Sequence, residues 1–467
     1  MAYSDLKGLA VSTSSFEALH AYERGLDLFL RWRGGAMDAL NAAVKADPRF
    51  VLAHCARALI AWRMGQAALA SSAHQEVMAL ADHARDEREH LHVQTVDALL
   101  KSDRDTAQAL LERTSENYPL DRLMVRSVGL NCIVRGDYEG GISISRRSLD
   151  ADPDEPQFMT MLGFFLEQSG YNDEGLAMSA RSLALDPTNL YTYHAVAHAY
   201  QARGDYPKAL ETFERAASLE RYAHILWHLA EARSILGYER FTRDYWGSTT
   251  PALPMHERVE LLWRLEMLQH IPTDDAVWRE LAAEGERQLE HADVLTLWMH
   301  HWIGLAFARA GETSKAERQV AYLRRLPEGR ASGYWSTQGA DILEGEFAII
   351  RGDEARAVQL MATPIRHIHR MGGGSREQKD IFKDIYMELH RRLDDADAVI
   401  ALAQERLLQN PNHLQSLAAL AWAYGRTDQA ALERQACAQL VRKAEAVGVH
   451  PDAPTLVGAR QALHAGC

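Results

Sequence analysis

Cysteine is scarce and scattered in this chain: Cys55, Cys132, Cys437 and Cys467 are the four in 467 residues, and no two form a Cys-x-x-Cys pair. That usage fits a reducing compartment. Positive charge is also in the minority, 51 Lys and Arg against 64 Asp and Glu for a net charge of −13, with no basic run and no aromatic–basic stripe. The balance argues against a nucleic-acid or an anionic-membrane partner. No run of about 18 apolar residues occurs, as a membrane-spanning helix would need, and the amino terminus lacks a basic-then-apolar leader. The expectation is a soluble cytoplasmic protein. Catalytic signatures are missing too: there is no Gly-x-Ser-x-Gly elbow, phosphate loop, dinucleotide fingerprint or His-Glu-x-x-His. Breakers are sparse, and Gly247 to Pro254 is the only substantial run of them in the middle of the chain.

What the chain has is a period. Gly136, Gly170 and Gly204 lie 34 residues apart, and Pro119, Pro153 and Pro187 keep the same interval. Each glycine opens a similar context, Gly136-Asp137-Tyr138, Gly170-Tyr171-Asn172 and Gly204-Asp205-Tyr206, with a small residue five places on at Gly141, Gly175 and Ala209. Small residues at Gly129, Gly163 and Ala197 fall where two helices must approach closely. A 34-residue helix–turn–helix unit with these marks is the signature of the tetratricopeptide repeat. One helical hairpin cannot bury its own apolar stripe, so stacked hairpins share a continuous core. The predicted fold is all-α, a tetratricopeptide-repeat α-α superhelix or solenoid with a concave wall.

Degenerate repeats extend the pattern on both sides. Phe16 to Asp47 turns at Gly34-Gly35; a unit from Val51 turns at Gly65 and has a longer second helix through Ala84; Arg88 to Pro119 has Ser102 in the place of the glycine. After a helix from His224 to Gly237, longer helices are expected from Met255 to Glu290, and repeats resume near Leu297 with Gly311 and near Gln338 with Gly352, ending with Asp380 to Pro411 and Leu414 to Val447. The reading is one continuous domain over 1–467, divided into an amino-terminal array (1–237), a longer-helix central insert (238–296) and a carboxy-terminal array (297–467) with a Gly-rich loop at 371–375.

Histidine supplies the candidate chemistry. With each turn glycine set at place fifteen, His194 and His198 take places five and nine of one repeat and His301 place five of another, on the arc beside the core positions. In tetratricopeptide domains that arc faces the groove, so the resemblance implies groove-lining histidines. The next helix carries His224 and His228 four apart, with Trp227 between them and Glu231 one turn on. Tyr191, Trp298 and Trp302 would add an aromatic wall, a mixture suited to a small amphipathic ligand. Two readings stay open beside a purely structural one. Either a ligand, protein or peptide lies in the groove, or His198 and His228 act as acid–base or metal-binding groups. For a metal, His194, His198, His224 and His228 would be the ligands and zinc or iron the ion. No cofactor is required by any motif, and homo-oligomerisation is left open.

A narrower resemblance rests on His194-x-x-x-His198, His224-x-x-Trp227-His228-Leu-Ala, Leu262-Trp263-Arg264-Leu265-Glu266 and Gly373-Gly374-Ser375-x-x-Gln378-x-Asp380. This combination resembles the tetratricopeptide repeat protein 38 family over most of the chain, with Lys379 where that family typically has arginine and Tyr200-Gln201 where it has Glu-Met. The resemblance implies an all-helical repeat fold and one enclosed site joining the histidines, Arg264, Ser375, Gln378 and Asp380. Its enzymatic alternative is hydrolysis or transformation of a small metabolite, with Arg264 stabilising negative charge. Ser375 has a second reading as a helix cap, Ser-x-x-Gln being a capping-box pattern.

Overall fold

A computed structural model describes residues 3–237, 253–326 and 334–465. Twenty-four α-helices and a two-residue strand pair account for nearly all of the ordered elements among them. The helices come in hairpins of near-constant length, such as Arg122–Arg135 with Tyr138–Ala151, Pro156–Gln168 with Asn172–Leu185 and Leu190–Ala202 with Tyr206–Leu219. The glycines of the 34-residue period sit at the turns with positive φ, 68° at Gly136, 92° at Gly170 and 72° at Gly204, a conformation that glycine adopts without a Cβ penalty. Ser102 adopts it as well, with φ 58°. The Gly247 to Pro254 breaker run lies mostly outside the described residues. No helix among the described residues is long and apolar enough to cross a membrane.

Two local differences from the sequence reading have simple causes. The second helix of the Val51 hairpin ends at Ala79 and passes into a short 3-10 turn, Ala81–His83, short of Ala84. The helices after Met255 are of ordinary length, 15 residues in Met255–Gln269 and 14 in Asp275–Gln288. They are separated where His270 takes a left-handed conformation just before Pro272. The sequence reading missed the Tyr3–Ser4 and Ala10–Val11 strand pair and a final helix, Pro454–Ala465.

The chain forms two compact units, Met1–Ala195 with Arg287–Thr296, and Val196–Glu286 with Leu297–Cys467. In the first, Gly163 lies against the neighbouring helix so closely that a Cβ would meet the Gly175 carbonyl oxygen at 2.9 Å and press on Ser179. Its charged groups are buried in pairs: Asp121 caps Arg122–Arg135 through Met124 N and holds Arg88 at 2.6 Å and His92 at 2.7 Å. Arg88 in turn reaches Asp5 and the Ala10 carbonyl, tying down the Tyr3–Ser4 and Ala10–Val11 strands. The ends of this unit meet through Arg31, which bonds Asp186 and accepts Leu190 N on its carbonyl.

The second unit also closes on itself. Asn412 donates to the Arg203 carbonyl, and His450 N donates to the Leu236 carbonyl, so its last helices contact its first ones. One part of its core is aromatic, with Phe382 stacked on Trp302 and edge-on to Trp298 and His301. A second, aliphatic core runs through Val399, Leu417, Leu440 and Leu456.

Candidate functional site

Helices Leu190–Ala202 and Ala223–Ile235 belong to consecutive hairpins, and the four-residue spacing of His224 and His228 puts both on one face. His228 is fully buried. It stacks on Phe213 with ring centroids 5.0 Å apart and receives the edges of His198 at 4.5 Å and His224 at 4.7 Å. The Nε2 atoms of His198 and His228 are 3.1 Å apart. The other nitrogen of each ring is held by a carboxyl group: His198 Nδ1 lies 2.5 Å from Glu377 Oε2, and His228 Nδ1 lies 3.3 Å from Glu231 Oε2. His224 repeats the arrangement, its Nδ1 2.6 Å from Glu257 Oε1. Trp227 fixes that second carboxyl helix by donating Nε1 to the Glu257 carbonyl.

Arg264 continues the network, 3.1 Å from Glu231 Oε1 and 3.5 Å from the Glu377 carbonyl. Gln378 ties in a further acid by donating to Glu260 Oε2 at 3.0 Å. Ser375 caps the Arg376–Arg392 helix in a full capping box: its Oγ accepts from Gln378 N, and Gln378 Oε1 accepts from Ser375 N. That cap presents Glu377 inward.

Burial sets the protonation states. It pushes the Glu231 carboxyl up to about 7 against the pull of Arg264, and raises Glu260 well above the carboxylate range. It holds His228 well below the usual imidazole value, helped by His198, His224 and Arg264. Glu377 is also desolvated, yet His198 and Arg376 outweigh that cost and keep it ionised, at about 2. Lys379, buried on the same turn, falls to about 7 through desolvation.

Two cavities adjoin this network in the second unit. A small charged one of about 80 Å³ is lined by Glu231, Arg264, Glu377, Asp380, Arg406 and His413 among others. A larger one of about 620 Å³ has a mainly apolar wall that includes Met387, Leu414, Trp422, Leu440 and Leu456. Ile235, Arg264, Asp384 and Gln415 line both. Arg264 Nε and Gln415 Oε1 are shielded from water and make no hydrogen bond among the described residues.

The residues singled out in the sequence fall in both units. His198, His224, Trp227, His228, Glu231, Arg264, Ser375 and Gln378 belong to the network, and Asp380 lines the small cavity beside Arg406. Tyr191 and His194 fall in the first unit, where they pack with Trp32 and Phe164 and Arg126 stands 3.9 Å from the Tyr191 ring. Trp298, His301 and Trp302 are core around Phe382 and line neither cavity, because the arc expected to face a groove is covered here by the Arg376–Arg392 helix. The glycine loop lies on that core: a Cβ at Gly373 would meet Trp298 at 2.6 Å, and one at Gly374 at 2.8 Å. The sequence reading missed Glu257, Glu260 and Glu377, and also Arg406, 2.9 Å from both Asp384 and His413. For Glu377 a signal existed, since it lies beside Gln378 in the Ser375 motif.

The hairpin that carries His194 and His198 is similar to a known repeat. Residues 190–222 match the tetratricopeptide repeat. Among curated proteins the chain is similar to BBSome complex member bbs-4 of Caenorhabditis elegans, 29% identical over 108 residues, and the match spans 23% of each chain. Solved structures with similar paths include the APC/C hetero-tetramer Cut9–Hcn1, with 14% identity, 97% of this chain and 79% of that one covered, and a TM-score of 0.46. The human IFIT1 dimer with PPP-AAAA shows 14% identity, coverage of 91% and 90%, and a TM-score of 0.37. MamA, in a form described as MSR-1 C2, shows 21% identity over 35% of this chain and 96% of its own, with a TM-score of 0.27.

Proposed function

We propose that this helical-repeat protein binds a small amphipathic ligand inside its second unit. The polar end would meet Arg264 and Gln415, and the apolar body would fill the large cavity. The observation that carries the reading is the wall shared by the charged and the apolar cavity, to which Ile235, Arg264, Asp384 and Gln415 all contribute. A volume near 620 Å³ lies within the roughly 300–1,000 Å³ of small-molecule sites. The apolar wall of this site is formed by residues such as Met387, Leu414, Trp422, Leu440 and Leu456, and not by Trp298 and Trp302. The resemblance to the tetratricopeptide repeat protein 38 family also belongs to this reading: its separated motifs, at His198, His228, Arg264 and Gln378, enter one connected network.

The test uses 1-anilinonaphthalene-8-sulfonate, an amphipathic anion that fluoresces when shielded from water. Wild-type protein is expected to bind one equivalent saturably. Ala459→Phe, which fills the apolar wall, and Gly458→Phe, placed where an added Cβ meets nothing within 4 Å, are expected to weaken binding at least tenfold with helix content unchanged. Binding by both variants as tight as wild type would overturn the proposal.

A further inference from the structure

The histidine network carries a separate inference, independent of the cavity ligand. We propose that His198 and His228 bind a divalent transition-metal ion through their Nε2 atoms. Two nitrogen ligands on a tetrahedral ion, each about 2.0–2.1 Å from it, stand about 3.3 Å apart. The two Nε2 atoms are 3.1 Å apart, so an ion would part them by a few tenths of an ångström. Their rings are inclined at 75°.

The outer nitrogens make the stronger argument. Glu377 Oε2 faces His198 Nδ1, and Glu231 Oε2, which also accepts from Gln201, faces His228 Nδ1. A carboxylate at Nδ1 holds the proton there and presents Nε2 as a lone pair, the arrangement in which an imidazole ligates a metal. His224 has the same partner at the same atom, Glu257, and one of its ring nitrogens lies within 4.8 Å of one of His228. Three imidazoles on two neighbouring helices are therefore turned the same way by three separate carboxyl groups. A single hydrogen bond between His198 and His228 would need Nε2–H on one ring, displacing its proton from the carboxyl side or charging a fully buried imidazole.

Charge points the same way. Glu231, Glu257, Glu260 and Glu377 are all buried around these rings, with Arg264 and Lys379 as the buried cations nearby. A divalent ion would favour the ionised forms of these carboxyl groups. An all-imidazole donor set suits the zinc, iron, nickel and copper class and not magnesium or calcium, which take oxygen ligands.

The experiment uses full-length protein without an affinity tag, stripped with a chelator and titrated with cobalt(II) chloride. One equivalent is expected to give the intense visible ligand-field bands of a low-coordinate site, and zinc chloride is expected to bleach them. His198→Ala and His228→Ala are expected to abolish the bands. Glu377→Gln, which keeps the shape of the side chain, is expected to weaken cobalt about 10–100-fold, as loss of an outer-shell partner does. Absence of stoichiometric cobalt in the wild type would overturn the proposal and leave a shared proton between the rings. Bands that persist in His198→Ala, or an unchanged affinity in Glu377→Gln, would overturn it equally.

Discussion

At the scale of single residues, burial decides which groups carry charge. Lys379 is 2% exposed and its ammonium is destabilised to about 7. Because this folded-state value lies below the 10.5 of the unfolded chain, the unfolded state binds the extra proton between those limits. Stability from this group therefore rises with pH from about 7 to 10.5 and is absent below that window. Lys379→Met is expected to flatten that part of the profile and to stabilise the protein at neutral pH by an amount on the order of 1–4 kcal/mol. Urea midpoints measured from pH 7 to pH 10 check it, and a slope equal to that of the wild type would show the ammonium to be solvated.

At the scale of elements, helices hold register because small residues let their backbones meet. Gly163 touches Gly175 and Ser179 on the partner helix, and neither neighbour's backbone can yield. Gly163→Leu is expected to destabilise by at least the overpacking cost of about 1–3 kcal/mol, read as a lowered thermal midpoint. An unchanged midpoint would contradict the packing. This contact was legible in the sequence because the period repeats it, as were the turns marked by Gly136, Gly170 and Gly204. Turns made by Trp32, Asp394 and Asp428 in the same left-handed conformation carry no such mark, since glycine announces it most plainly, whereas Ser102 was legible from the period alone. In the site, His198 and His228 were legible from helical spacing. Glu377, the carboxyl partner of His198, and Glu257, that of His224, were not, because each comes from a later helix and no local pattern distinguishes a buried glutamate from a solvated one. Trp298 and Trp302 misled for a related reason: their arc was assigned by analogy to a groove, and the helix that covers it starts more than 70 residues later.

At the scale of the whole molecule, the repeat solves burial in each unit by having the last hairpins contact the first. In the second unit this closure, made by Asn412 on Arg203 and by His450 on Leu236, leaves an apolar chamber instead of a filled centre. Cys437 sits on the wall of that chamber, while Cys55 and Cys132 are sealed in the core of the first unit. Desolvation and Glu433 raise the Cys437 thiol, so little of it is thiolate at neutral pH and alkylation is limited by the reagent's arrival as well as by ionisation. In a Cys467→Ser background, N-ethylmaleimide is expected to modify Cys437 slowly and to leave Cys55 and Cys132 untouched. Saturating anilinonaphthalene sulfonate is expected to slow that modification severalfold, and a rate indifferent to it would place the dye elsewhere. The chamber thus comes with its own clock: the half-life of one thiol reports how much of the time its interior is occupied.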